Sequence, residues 1–229
     1  MGYREQAPGP PLSAAVLAGG QSRRMGEDKA LLPLVPGRAP LLAIVLERLG
    51  GVADDLFVVA TDRPGYAAFG APLYADEYPE AGTLGGIATA LRRARHDHCV
   101  VLACDMPFIN PRFLAWMAAQ PRSYDALVPR VPGESRQGTG TIWQTLHAIY
   151  GKGCVAAIER RLAVGERKVI GFFDEVRVTP IDVAQIARFD PDLRSFFNAN
   201  TPEALAEARR MIGDEPEPPP RVVGGGPLY

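Results

Sequence analysis

Short apolar runs alternate with amphipathic stretches along the chain. Ala14–Leu17, Leu56–Ala60, Pro72–Ala75, Cys99–Ala103 and Ala126–Pro129 are brief and apolar, as strands covered on both faces should be. Helical patterns lie between them. Pro40–Leu49 has a broad apolar face with Glu47 and Arg48 near its end. Thr83–Arg95 opens on a Thr that predicts a cap and closes on Arg92, Arg93 and Arg95, which suit the negative end of a helix dipole. Pro111–Ala119 has Asn110 as its expected cap and Pro in its first turn. Later the pattern is less regular: Cys154–Ala163 reads as a helix, Val176–Thr179 as a short strand, and Pro202–Ile212 as a closing helix capped by Thr201. This rhythm predicts an α/β fold, a mostly parallel sheet with helices on both faces.

The Pro- and Gly-rich ends, residues 1–11 and 213–229, bury too little apolar surface to offset ordering and are expected to be mobile tails. Residues 12–212 then form a single domain, with no internal repeat and no second boundary. Composition changes this picture little. At 47% hydrophobic, 22% charged and a net charge of -1, the chain reads as globular, with no overall bias toward nucleic acid or an anionic membrane. No apolar run reaches the roughly 18 to 20 residues of a membrane span, and the first residues lack the apolar core of a secretory signal. The three cysteines, Cys99, Cys104 and Cys154, form no CxxC pair. A disulfide scaffold is therefore not expected, and a cytoplasmic location is.

The chemistry concentrates where the first strand runs into Ala18-Gly19-Gly20-Gln21-Ser22-Arg23-Arg24-Met25-Gly26-Glu27-Asp28-Lys29. Paired glycines let a ligand approach the main chain, and inward N–H groups form an anion nest. Arg23, Arg24 and Lys29 add positive charge, a combination that suits a triphosphate. The segment lacks both G-x-x-x-x-G-K-[ST] and G-x-G-x-x-G, which disfavours a Walker-type site and a dinucleotide oxidoreductase.

Leu17-Ala18-Gly19-Gly20-Gln21-Ser22-Arg23-Arg24-Met25-Gly26 with Asp28-Lys29-Ala30-Leu31-Leu32 resembles the signature of the molybdenum cofactor guanylyltransferases, within the nucleotidyltransferase superfamily. The resemblance implies a Rossmann-like three-layer sandwich. It extends to Tyr74-Ala75-Asp76, to Gly82-Thr83-Leu84-Gly85-Gly86-Ile87 with Thr83 where the family usually has Pro, and to Ala103-Cys104-Asp105-Met106-Pro107. It continues through Leu146-His147-Ala148-Ile149-Tyr150, with Thr145 in place of Pro, to Phe197-Asn198-Ala199-Asn200-Thr201-Pro202-Glu203.

What the resemblance implies is GMP transfer from GTP to the phosphate of molybdenum-bound molybdopterin, with pyrophosphate released. Leu17, Ala18, Gly19 and Gly20 would hold the base, sugar and near phosphates. Lys29, with Arg23 and Arg24, would neutralise the leaving phosphates; Asp105 would carry Mg²⁺; Asp76 would read the nucleoside; Asn198 and Asn200 would face the pterin. Asp62, after the second strand, is a further candidate in the nucleotide cleft. Other proteins of molybdenum cofactor synthesis and acceptor enzymes are expected partners; nucleic acid and membrane are not. Residue chemistry alone leaves open a CTP-using or sugar-phosphate transferase, or a non-catalytic nucleotide-binding protein. His96-Asp97-His98-Cys99 reads as a polar loop rather than a metal site, Asp54-Asp55 as a solvated turn, and Trp116 and Trp143 as packing residues.

Overall fold

Ala14 and Val16 point to one side of the first strand and Ala15 to the other, and all three are fully buried. Such a strand needs helices above and below. The structure, a computed structural model, describes residues 10–19, 28–35, 37–61, 63–135 and 138–213. Its first strand, β1 (Ser13–Leu17), runs parallel to β2 (Asp55–Val59), which in turn pairs in parallel with β3 (Leu73–Tyr74). On the other side β1 is parallel to β4 (His98–Ala103). Next to β4 lies the antiparallel β7 (His147–Gly151), then β5 (Ala126–Ser135), antiparallel to β7 and therefore running with β4. β8 (Val178–Ile181) is parallel to the first half of β5, and β6 (Gly138–Trp143) is antiparallel to the second half. The eight-stranded sheet is thus parallel at its centre.

One face is covered by α1 (Leu41–Leu49), α3 (Pro111–Ala118) and the short α5 (Val183–Ile186), against Ala14, Val16, Val58, Val100, Leu102 and Ile149. The other is covered by α2 (Gly82–Arg93) and α4 (Cys154–Ala163), against Ala15, Phe57, Val59, Val101 and Ala148. The closing helix α6 (Pro202–Gly213) packs Leu205 and Ala208 with Leu34, Leu41 and Phe108 in a smaller cluster.

Asn110 caps α3, its side chain accepting from the amides of Arg112 at 2.9 Å and Phe113 at 3.2 Å. Thr201 caps α6 by accepting from Ala204 N at 3.1 Å. Thr83 does not cap α2. Gly82, with φ +61°, turns the chain so that the helix begins before Thr83, behind Ala81, and no side chain caps it.

The Asp54-Asp55 pair is more than a solvated turn. Asp55 accepts from Ser13 Oγ at 2.5 Å and Arg95 N at 2.8 Å, and Ser13 Oγ accepts from His96 N at 3.0 Å. Asp54 pairs with Arg95 at 2.8 Å and meets the His96 ring at 2.8 Å. The starts of β1, β2 and β4 are tied together at the edge of the sheet from which these strands rise. Trp116 stacks on Phe113, and Trp143 meets Phe173 edge-on while Arg130 lies over its ring.

Candidate active site

Leu17 stands in register with Val59 on one side and Ala103 on the other, so three parallel strands end level. Their exits are fastened to each other. Ala18 N donates to Val59 O at 3.0 Å, Cys104 N donates to Leu17 O at 3.2 Å, and Ala60 N donates to Tyr74 O at 3.0 Å. In open parallel sheets ligands bind beyond these carboxyl ends. Here the edge opens into a cleft of about 820 Å³ lined by Leu17, Ala18, Gly19, Asp28, Ala30, Asp76, Glu80, Gly82, Thr83, Gly86, Asp105, Leu146, Arg167, Asn198 and Asn200, among others.

Asp105 leaves β4 at the cleft floor. Its carbonyl accepts from Ala199 N at 2.8 Å, which brings the residues on either side of Ala199, Asn198 and Asn200, to the same opening. Asn198 Nδ2 donates back to Phe196 O at 3.1 Å. Asp76 follows β3; its Oδ1 accepts from Tyr78 N at 2.9 Å and Thr89 Oγ1 at 2.8 Å, while the same Thr89 oxygen accepts from Glu77 N at 3.0 Å. The wall from Asp76 to Ala81 is strapped further by Tyr78 Oη, which donates to Glu159 at 2.8 Å, and by Glu77, which pairs with Arg92 at 2.9 Å and Arg93 at 2.8 Å. The first turn of α2 forms the facing rim through Gly82, Thr83 and Gly86, so the positive end of its dipole opens on the cleft.

Asp28 accepts from Tyr66 Oη at 2.7 and 2.9 Å and lies 3.2 Å from Arg63 Nε. Burial, then the Asp28 carboxylate, pushes the Tyr66 phenol well above the usual tyrosine range, so it stays a donor. Arg167 brings a cation from the turn after α4.

The profile of the MobA-like NTP transferase domain matches residues 14–178. The chain belongs to this family. A relative named as a probable molybdenum cofactor guanylyltransferase, from Pelotomaculum thermopropionicum, is 37% identical over 203 residues, 87% of this chain and 92% of the relative. The crystal structure of molybdopterin-guanine dinucleotide biosynthesis protein A from Archaeoglobus fulgidus superposes with a TM-score of 0.73 at 29% identity, over 89% of this chain and 100% of that one. A 2-C-methyl-D-erythritol 4-phosphate cytidylyltransferase from Thermus thermophilus shares the fold, with a TM-score of 0.64 at 18% identity over 88% and 98% of the two chains.

In this MobA-like domain the cleft gathers Leu17, Ala18, Gly19, Asp76, Asp105, Asn198 and Asn200 from the residues singled out in the sequence. Lys29 begins a 3-10 turn, Lys29–Leu31, between two cleft-lining residues, Asp28 and Ala30. Gly20, Arg23, Arg24 and Asp62 lie outside the described residues. Sequence reasoning missed Asp28, Glu80 and Arg167 as lining residues. Asp28 read as part of a motif whose working member is Lys29. Arg167 sits in Gly165-Glu166-Arg167-Lys168, where a glycine with φ +77° ends the helix. A basic pair just past a helix-ending glycine was the available signal.

Among the described residues no three His, Cys, Asp or Glu side chains form a metal cluster. Asp105, a single carboxylate beside a phosphate-binding opening, suits a hard cation that shares its remaining sites with phosphate and water, as Mg²⁺ does.

Proposed function

We propose that this chain transfers GMP from GTP to the terminal phosphate of molybdenum-bound molybdopterin, forming molybdopterin guanine dinucleotide and pyrophosphate. One observation carries the reading: a single cleft joins the stem of the Gly-rich segment, Asp76 and Asp105 to the Asn198–Asn200 pair, which gives the nucleotide and a second substrate opposite sides of Asp105. Family membership and relatives named for this activity support it.

A phosphate oxygen of the pterin attacks the α-phosphorus of GTP in line. The bond from that phosphorus to the bridging oxygen breaks, and its electron pair leaves with pyrophosphate. The nucleophile is already an anion, so no protein base is required, and the chain contributes position and charge. Leu17, Ala18 and Gly19 hold the nucleotide by their backbone. Lys29, with Arg23, neutralises the departing phosphates. Asp76, fixed by Thr89, reads the nucleoside, and Asn198 and Asn200 orient the pterin. Asp105 would hold Mg²⁺, which would draw charge from the phosphates and make pyrophosphate a better leaving group. Gly20 and Asp62 complete the nucleotide side of this assignment. None of the three cysteines is in a disulfide, which suits a reducing compartment, and we assign the reaction to the cytoplasm.

The test is pyrophosphate release with Mg²⁺, molybdopterin and each triphosphate in turn. GTP alone should support rapid turnover, and Asp105→Ala should abolish it while leaving the circular dichroism spectrum unchanged. Equal turnover with CTP would overturn the base assignment, and full activity in Asp105→Ala would overturn the metal assignment.

A further inference from the structure

Asp28 presents a puzzle, because it is a carboxylate lining a cleft meant for a polyanion. Unscreened negative charge beside a triphosphate is repulsive and weakens binding. The surrounding geometry resolves this. Arg63 Nε lies 3.2 Å from one carboxylate oxygen, and the Tyr66 hydroxyl lies 2.7 and 2.9 Å from the two oxygens. Tyr66 is 1% exposed and sits on the 3-10 turn Pro64–Phe69.

The same hydroxyl is 3.5 Å from the Ala18 carbonyl. The chain therefore leaves the sheet at Ala18 and returns at Asp28 beside one oxygen atom. Asp28 in turn shapes the next turn of the chain: its Oδ1 accepts from Ala30 N at 3.2 Å, and its carbonyl accepts from Leu31 N at 3.0 Å. That turn carries Lys29.

We propose that Tyr66 and Arg63 are positioning residues for the triphosphate: the phenol gives its one proton to Asp28 and so fixes the returning stem of the Gly-rich segment beside Ala18, and the guanidinium offsets the Asp28 charge. Both act through Asp28, on the side of the cleft where GTP enters, and neither touches the pterin. The inference rests on the nucleotidyl-transfer reading of the cleft.

Tyr66→Phe keeps the ring in the core and deletes only the donor. A hydrogen bond to a charged group is worth enough to raise the KM for GTP about tenfold or more, with kcat and the KM for molybdopterin within about twofold. Arg63→Met should raise the same KM, more at low salt than at high, and Arg63→Lys should restore most of it. A merely structural role would instead lower Tm and weaken both substrates alike. An unchanged KM for GTP in Tyr66→Phe, or equal rises for both substrates, overturns the proposal.

A second measurement separates its failure from that of the function. If neither wild type nor variant turns over GTP, the proposed function has failed. Amide exchange at Ala30 and Leu31 in the substrate-free protein then decides whether the phenol fixes Asp28 and the turn after it. Exchange about tenfold faster in Tyr66→Phe supports it, by the same conversion of a lost hydrogen bond into an opening equilibrium; unchanged exchange overturns it.

Discussion

Two glycines that line up in the sequence as parts of one signature do different work. A β-carbon on Gly85 would fall 2.6 Å from Tyr78 O, 2.7 Å from Tyr78 Cβ and 2.8 Å from Ala81 Cβ. All three atoms belong to the wall from Asp76 to Ala81, so relief means moving that wall. Alanine in a helix interior gains about 1 kcal/mol over glycine, but overpacking of this kind costs typically 1–3 kcal/mol and more when backbone must shift. Gly85→Ala should therefore be net destabilising by about 2 kcal/mol, a fall of roughly 4–8 °C in Tm for a chain of this size. Gly19 differs: among the described residues, the nearest atom to its added β-carbon is Ala60 Cα at 3.8 Å. The described packing leaves room for a side chain there, while a ligand lying on the backbone would not. Gly19→Ala should leave Tm within about 2 °C and weaken GTP binding measured by calorimetry. A large fall in Tm for Gly19→Ala, or none for Gly85→Ala, would reverse the assignment of the two glycines.

At the scale of elements, the parallel strands are clamped at the end away from the cleft. Ser13 is fully buried, and its hydroxyl is held between Asp55 and the His96 amide. Asp55→Ala leaves that hydroxyl and Arg95 N without their acceptor, a loss of about 2 kcal/mol. Because the cleft lies at the opposite ends of β1, β2 and β4, kcat and both KM values should stay near wild type. Urea unfolding paired with steady-state kinetics checks this, and a KM change matching the stability loss would show that strand alignment reaches the site.

The clamp also shows what the sequence withheld. Asp55 could be read only as polar, since its partners are 42 and 40 residues away along the chain. The central strands β1, β2 and β4 were legible because burial on both faces leaves an unbroken apolar run. β7 and β6 were not predicted as strands. His147–Gly151 is buried throughout and stands antiparallel between β4 and β5, but its strand character depends on those distant partners. Gly138–Trp143 pairs, among the described residues, with the extension of β5 and carries two glycines among threonines, which signals no element by itself. Within the site, Leu17, Ala18, Gly19, Asn198 and Asn200 could be placed from the glycine-rich and Asn-x-Asn patterns, and they line the cleft. Arg167 and Glu80 could not, because charged residues in turns, even the Arg167-Lys168 pair, look like a solvated surface until the fold brings them to the cleft.

At the scale of the whole molecule, protonation of the buried His147 opposes the fold. His147 is fully buried, stacked on Phe113 with ring centres 5.6 Å apart and tilted against Phe196 at 5.0 Å. Burial pushes its imidazole down to about 4, with Asp190 and the Ser195 backbone only partly opposing. In the unfolded chain the ring takes up a proton near its ordinary 6.5, whereas the native ring stays neutral to about 4. Over that window the unfolded state binds more protons, so stability is complete above pH 6.5 and falls as the pH drops toward 4. The shift corresponds to about 3 kcal/mol, a substantial part of the stability of an ordinary domain. His98 is also held below its usual range, first by burial, and adds a smaller slope of the same sign. Asp125, lowered chiefly by its bonds to Arg177, loses its contribution only at still lower pH, so it does not confuse the window. Urea midpoints measured from pH 7.5 to 4 should therefore decline for the wild type. His147→Phe keeps an apolar ring between Phe113 and Phe196 and should flatten most of that decline, leaving the part due to His98. An equal decline in the variant would mean that the acid sensitivity arises elsewhere in the molecule.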